Sequence, residues 1–510
     1  MTAHVDTFCR DRLPPPDLWP HLTDLGYPER LNCAVELLGD WAPERRCLLT
    51  PTEEWSYGDL RRRSAQVAQV LTEDLGLVPG NRVLLRGPNT PWLVACWFGV
   101  LQAGGVAVTT MPLLRRAELD TMCEIARPSI RLCDPRFLDE LDEAVSFAEL
   151  AALCELKSGA FTPVDTAADD VALVAFTSGT TGRPKATLHF HRDVLAIADT
   201  FAKHVLRPVA DDLFTGTPPL GFTFGLGGLV VFPLRVGAAT LLVEQAGPEQ
   251  LADLVETYRA TVLFTAPTAY RALLDRGLAP RLAGLRRCVS AGEPLPADVW
   301  TAFHAATGLR VIDGIGATEL LHVFISAADD DIRPGATGLP VPGFQARIVD
   351  HDGLAVPDGV AGLLAVVGPT GCRYLDDERQ LAYVRDGWNL TGDTYIRDED
   401  GYFWFQARAD DMIVSAGYNI AGPEVEAALL THPDVLECGV VGAPDASRGT
   451  IVKAYVVLRP GAAATGSSLQ AHVKRAIAPY KYPRAVEFVG SLPRTSNGKL
   501  HRAELRRWAQ

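Results

Sequence analysis

The chain has 510 residues, 47% hydrophobic and 22% charged; this is the composition of a soluble globular protein of about three structural units, not of a collagen, a coiled coil or a disordered chain. Its 62 acidic residues outweigh 48 basic ones, and a net charge of −14 argues against a nucleic-acid binder, which needs a basic surface against phosphates. Ten cysteines lie far apart, with no CxxC and no Cys/His cluster at zinc-ligand spacing, so scattered reduced thiols and a cytoplasmic location are expected.

The N-terminal segment MTAHVDTFCRDRLPPPD has no apolar stretch, and no signal peptide is expected there. Ser56, with Asp59 three residues on, caps a periodic helical run from Leu60 to Leu75. Arg82 to Leu85 reads as a strand, Pro91 to Gln102 as a buried helix, and Val106 to Thr109 as the next strand. Val171 to Phe176 is a strand by composition. The uncharged run Leu213 to Leu234 has the length of a membrane span, but three prolines and five glycines make it a buried strand-and-loop segment. Thr261 to Phe264 is a strand, and Pro267 opens a helix at a position where proline is tolerated. This alternation predicts an α/β protein: a large N-terminal domain of helix-covered, mostly parallel mixed β-sheets.

Charge marks a boundary. Residues 1–410 hold 36 basic and 54 acidic residues, whereas 411–510 hold 12 basic and 8 acidic, so a cationic lobe follows an anionic body. That lobe is either a solvated face or a surface that closes over a polyanion such as a polyphosphate. Seven lysines against 41 arginines make each lysine informative, because arginine has replaced it wherever a generic cation suffices.

The segment Phe176-Thr-Ser-Gly-Thr-Thr-Gly-Arg-Pro-Lys185 follows a strand with four hydroxyls, two glycines and a lysine. Gly179 and Gly182 allow close backbone approach, and the amides and hydroxyls of such a turn form an anion-binding nest. The order GTTGRPK is not that of a Walker A loop. Glu319 ends a glycine-rich turn, either as a surface glutamate or as a carboxylate able to hold a hard cation such as Mg²⁺ beside a bound polyphosphate. Lys499 lies in a Pro/Ser/Asn/Gly loop and reads as a mobile, exposed point charge.

These residues resemble the acyl-adenylate-forming (AMP-binding) superfamily of acyl- and aryl-CoA ligases, peptide-synthetase adenylation domains and firefly-type luciferases. The 176–185 segment is similar to its phosphate loop, Ser290-Ala-Gly-Glu-Pro294 to its adenine-side loop, and Asp313-Gly-Ile-Gly-Ala-Thr-Glu319 to its YGxTE motif, with Ile315 where an aromatic is usual. Leu390-Thr-Gly-Asp393 resembles the ribose-binding TGD, Arg408-Ala-Asp-Asp-Met-Ile413 the hinge, and Pro493-Arg-Thr-Ser-Asn-Gly-Lys499 the C-terminal lysine motif. Ala407 stands where a glycine is usual.

The resemblance implies an ATP- and acyl-binding domain over 1–409 and a small mobile α+β domain over 410–510, pivoting at Asp410. It implies a catalytic set of Thr181, Lys185, Glu319 and Lys499, with Mg²⁺ on Glu319. ATP and AMP would meet Thr177, Ser178, Gly179, Thr180, Thr181, Gly182, Gly292, Glu293, Pro294, Asp313, Gly314, Gly316, Thr318, Asp393, Arg408 and Lys499. Coenzyme A would pass Gly417 and meet Arg448, Lys481 and Arg484.

Four stretches look like the benzoate and 2-aminobenzoate CoA ligases of that superfamily: PPLGFTFGLGG (218–228), GIGATELLHVFISA (314–327), GPTGCRYLDDERQ (368–380) and QARADDMIVSAGYNIAGPEVE (406–426). The acyl pocket would comprise Phe201, Phe222, Thr223, Phe224, Ala291, Ile315, Leu321 and His322. Phe222 and Phe224 are either a wall for a flat ring or plain core, and His322 either meets a ring substituent or fills the core. The 218–228 segment lacks the aspartate that grips an α-ammonium, which lowers an amino-acid substrate. The implied function is an ATP-dependent ligase joining an aromatic acid to coenzyme A, with no nucleic-acid or membrane partner; a homodimer is compatible with the sequence. Alternatives keep the adenylation but use another acceptor: a carrier protein, or nitrite in place of the carboxylate, as in an ATP-dependent diazotase.

Overall fold

The computed structural model describes residues 2–177, 184–408, 411–415, 418–445, 449–477, 481–495 and 498–510. The chain divides into two compact units: Met1–Ala346 with Ala365–Leu390 and Asp400–Phe403, and Arg347–Leu364 with Thr391–Glu399 and Trp404–Gln510. The expected hinge residue, Asp410, lies outside the described residues.

The larger unit holds two sheets. In one, the strands Arg46–Leu49, Ala239–Leu241, Leu213–Gly216, Val262–Thr265, Arg287–Ala291 and Val311–Gly316 run parallel, with antiparallel strands at both edges. In the other, Ile130–Cys133, Arg82–Arg86, Val106–Thr110 and Val171–Thr177 are parallel, and Lys185–Phe190 turns back antiparallel on the last. Both sheets carry helices, the α/β arrangement read from the sequence.

Local signals set these elements. Ser56 and Asp59 exchange backbone and side-chain hydrogen bonds in a capping box that opens the helix Tyr57–Gln69. Thr90 caps Pro91–Gln102, whose proline sits in the first turn. The expected Thr261–Phe264 strand lies one residue later, at Val262–Thr265, and the Thr261 hydroxyl before it donates to Asp212. The 213–234 run forms the strand Leu213–Gly216 and then short helical turns from Thr223 to Arg235. No helix among the described residues is long and apolar enough to cross a membrane. All ten cysteines are free.

The smaller unit contains a three-stranded sheet of Val435–Asp445, Gly449–Leu458 and Ala485–Phe488. The helices Gly422–Leu430 and Gly466–Ala476 belong to it, and their Val425, Leu429, Leu469 and Val473 share a core with Val440, Val452 and Val456. Arg502 and Arg506 of the terminal helix pair with Asp411, and Arg502 also with Glu426, so the terminal helix is tied to the helix Gly422–Leu430 and to Asp411 before it.

Candidate active site

In the larger unit, two strands and one turn bring chemistry-bearing side chains together. Val171–Thr177 and Lys185–Phe190 pair so that Thr177 lies opposite Lys185. The loop residues Ser178, Gly179, Thr180, Thr181 and Gly182 lie outside the described residues. Lys185 begins the returning strand, and its Nζ donates to the Tyr374 hydroxyl at 2.7 Å. The Tyr374 hydroxyl in turn donates to Glu319 Oε1 at 2.5 Å, while Lys185 Nζ and Glu319 Oε1 are 3.5 Å apart. An ammonium and a carboxylate are thus bridged by one phenol.

Glu319 reaches this point from the turn between Val311–Gly316 and Val323–Ser326. The turn closes with Leu321 at φ +70°, a left-handed conformation that costs a non-glycine residue strain. His189 Nε2 donates to the Thr318 carbonyl at 2.8 Å and fixes the residue before Glu319. Burial lowers the His189 pKa to about 4, which keeps it neutral.

Beyond Leu321, His322 enters a cluster of rings. Its centroid lies 4.6 Å from Phe232, 5.5 Å from Phe201, 5.6 Å from Phe224 and 6.5 Å from Phe264. Both its ring nitrogens are buried without a hydrogen-bond partner, and burial lowers its pKa to about 3. Gly227 makes room for it: a Cβ there would stand 2.3 Å from His322 Cδ2, and one at Gly228 would stand 2.5 Å from Phe264. Thr223, Ala291 and Leu321 are buried and Ile315 is half-buried. Phe222 is half-buried and shares no ring contact with the cluster among the described residues.

At the other end of the same strand, Asp313 Oδ1 is buried without a hydrogen-bond partner, and burial raises the carboxyl pKa to about 7. Leu295, Trp300, Ala336 and Thr337 line a small recess beside it. Gly314 is buried and Gly316 exposed; Thr318 is half-buried. Gly292 takes φ +90° after the strand Arg287–Ala291, leaving it and Pro294 exposed and Glu293 half-buried.

The AMP-binding enzyme profile matches residues 40–373, and the AMP-binding enzyme C-terminal domain profile matches 424–499. The benzoate–CoA ligase of Thauera aromatica is 34% identical over 94% of this chain and 96% of its own length. The anthranilate CoA ligase AuaEII in complex with anthranoyl-AMP superposes with a TM-score of 0.89 at 32% identity, over 95% of this chain and 98% of that one. ATP-bound MatB from Rhodopseudomonas palustris gives 0.88 at 30% identity, over 94% and 98%. The chain belongs to the AMP-binding enzymes. It is an enzyme of their acyl-CoA ligase class.

In this AMP-binding enzyme the smaller unit holds the other expected site residues. Asp393 Oδ1 accepts from Arg408 Nη1 at 2.9 Å, and Gly392 at φ +75° leaves only 3.1 Å between a would-be Cβ and the guanidinium. Lys499 was expected to be exposed but is half-buried, because its turn folds on itself: Thr495 N donates to Lys499 O, and Lys499 N donates to Thr495 Oγ1. Lys481 is ion-paired with Glu424, and Arg484 stacks on Tyr482 with its centre 4.8 Å from the ring. Gly417 and Arg448 lie outside the described residues. Sequence reasoning missed Tyr374, Phe232 and Phe264. Tyr374 stood in a quoted stretch, but nothing in its spacing marked its hydroxyl.

Proposed function

We propose that the chain is an ATP-dependent, AMP-forming ligase for an aromatic acid of the benzoate or 2-aminobenzoate type, which passes the acyl group from the adenylate to coenzyme A. The observation that carries the aromatic substrate is the ring cluster of Phe201, Phe224, Phe232 and Phe264 around neutral His322, three residues past Glu319 on the same turn. Flat rings suit such walls, whereas a long chain needs a deep channel, and Gly227 and Gly228 leave no room for even one methyl group beside His322 and Phe264. The names of the benzoate and anthranilate ligase relatives support the same reading.

In the first step a carboxylate oxygen attacks the α-phosphorus of ATP in line, and the bond to pyrophosphate breaks. The 177–182 loop and Lys185 would cradle the departing phosphates, and Lys499 would add charge where it develops. Glu319 fits a hard cation: Oε1 is held by Tyr374, and Oε2 meets no hydrogen-bond donor among the described residues. Mg²⁺ bound there would neutralise phosphate charge. Asp393 would accept from the ribose hydroxyls beside Arg408, and Asp313, with Gly292 to Pro294, would face the adenine.

In the second step the thiol sulfur attacks the acyl carbonyl and AMP leaves. A swing of the 410–510 domain about Asp410 would withdraw Lys499 and bring the Gly417 loop to the acyl group, with Arg448, Lys481 and Arg484 toward coenzyme A. The free cysteines support a reducing, cytoplasmic setting.

The test is pyrophosphate release with benzoate, 2-aminobenzoate, octanoate and dodecanoate, each with and without coenzyme A or nitrite. Turnover should be highest with an aryl acid plus coenzyme A, and chelation of Mg²⁺ should stop it. Highest turnover on dodecanoate would overturn the pocket; release that needs nitrite and an aryl amine would identify a diazotase.

A further inference from the structure

Tyr374 stands between the two charges of the site but belongs to neither the phosphate loop nor the Glu319 turn. Its place is fixed by backbone. Tyr374 bridges Thr187 on the strand that carries Lys185, flanked by hydrogen bonds from Leu188 N to Arg373 O and from Leu375 N to Ala186 O. Tyr374 N also donates to Gln380 Oε1 at 2.9 Å, and its ring meets Tyr383 edge-on at 5.7 Å. Arg373, next in chain, is locked by a fully buried ion pair with Asp193. The ring therefore has little freedom, and its hydroxyl is aimed.

A phenol has one proton to give and lone pairs to receive. Here it receives from Lys185 and gives to Glu319. The two charges stay 3.5 Å apart, beyond the roughly 2.7–2.9 Å of a direct charge-assisted hydrogen bond.

We propose that Tyr374 is a positioning residue for adenylation: its hydroxyl keeps Lys185 and Glu319, 3.5 Å apart, from tightening into a direct charge-assisted hydrogen bond and so holds both for the nucleotide's phosphates and cation. Without the hydroxyl, the ammonium and the carboxylate would pair with each other, and ATP would have to break that pair in order to bind. This inference rests on the reading of Lys185 and Glu319 given above.

The test is Tyr374→Phe, which keeps the ring. ATP binding measured by calorimetry with Mg²⁺ and no acid should weaken about tenfold, the loss of one charge-assisted hydrogen bond. KM for ATP should rise with it, while thiolysis of supplied acyl-AMP and the melting temperature stay near wild type. In a Lys185→Ala background the same change should add little, since the pair it separates is gone. ATP binding unchanged by Tyr374→Phe overturns the proposal. So does a parallel fall of both half-reactions with the melting temperature, which marks a merely structural tyrosine, and so does full additivity with Lys185→Ala. If Lys185→Ala itself binds ATP like wild type, the underlying site reading fails, whatever Tyr374 does.

Discussion

The charged side chains at the centre of the site and the titratable side chains on its flanks are satisfied differently. At the centre, Lys185, Tyr374 and Glu319 are joined in one hydrogen-bonded chain. On the flanks, Asp313 Oδ1 and both nitrogens of His322 are buried with no side-chain hydrogen-bond partner, although both residues lie, like Glu319, on one strand and the turn that follows it. An unpartnered buried polar group is expensive, and native proteins keep few of them. The contrast separates the groups that the protein pairs with one another from side chains that keep a polar atom open to a ligand on the proposed reading. On the proposed reading the centre is the phosphate side, which serves every substrate alike and can be built in advance. On the proposed reading the adenine and ring sides must tell one molecule from another, and open hydrogen-bond positions would do that.

The largest expected effect tests the adenine flank. The Asp313 carboxyl titrates near pH 7 in the fold, against an ordinary value of 3.8. A raised pKa stabilises the fold at low pH, and that contribution is lost as pH rises through 7. The shift corresponds to about 4 kcal/mol. Asp313→Asn removes the titration. Its stability should match wild type near pH 4 and pull ahead progressively up to pH 7, then stay level. Denaturant melts across that range check this; a difference independent of pH would mean that Asp313 does not stay protonated in the fold.

The next tests the centre. Glu319→Ala should slow adenylate formation by about 100- to 1,000-fold, the worth of one preorganised charge at a developing charge. Thiolysis of supplied acyl-AMP should change little. If thiolysis falls equally, Glu319 serves the whole fold rather than the first step.

What could be read from sequence follows the same divide. Elements set by neighbours in the chain were legible: the Ser56–Asp59 cap, the proline-led helices at Pro91 and Pro267, and the alternation that implies parallel sheets. Lys185, Glu319 and Asp393 are singled out in the sequence by ordered motifs, and the structure brings Lys185 to Glu319 and Asp393 to Arg408. Tyr374 is not singled out, because it meets Glu319 across 55 residues and Lys185 across 189, a distance that only strand pairing closes. Phe264 arrives on a strand of the central sheet and Phe232 on a helical turn, so no local pattern joins them to His322. Phe222, next in line to Phe224, was a plausible wall by spacing alone; the short helix that begins at Thr223 leaves it out of the cluster.

The smallest expected effect tests the ring flank, and it concerns selectivity more than rate. His322 packs on four phenylalanines and stays neutral, so it offers a substrate shape and one open hydrogen-bond position rather than charge. His322→Ala removes both. The space released should admit bulkier rings, shifting the ratio of kcat/KM between a 2-substituted or 3-substituted benzoate and benzoate by about tenfold, as one pocket contact does. Adenylation of benzoate itself should stay within a few-fold, because Glu319, Tyr374 and Lys185 are untouched. Part of the gain will be offset by the cavity, which lowers stability by about 2–5 kcal/mol if the four rings cannot collapse into it. Pyrophosphate release over a series of ring sizes, together with a melt of the variant, separates the two. A loss of benzoate activity as large as that of Glu319→Ala would erase the contrast between centre and flank, because His322 would then belong to the chemical step.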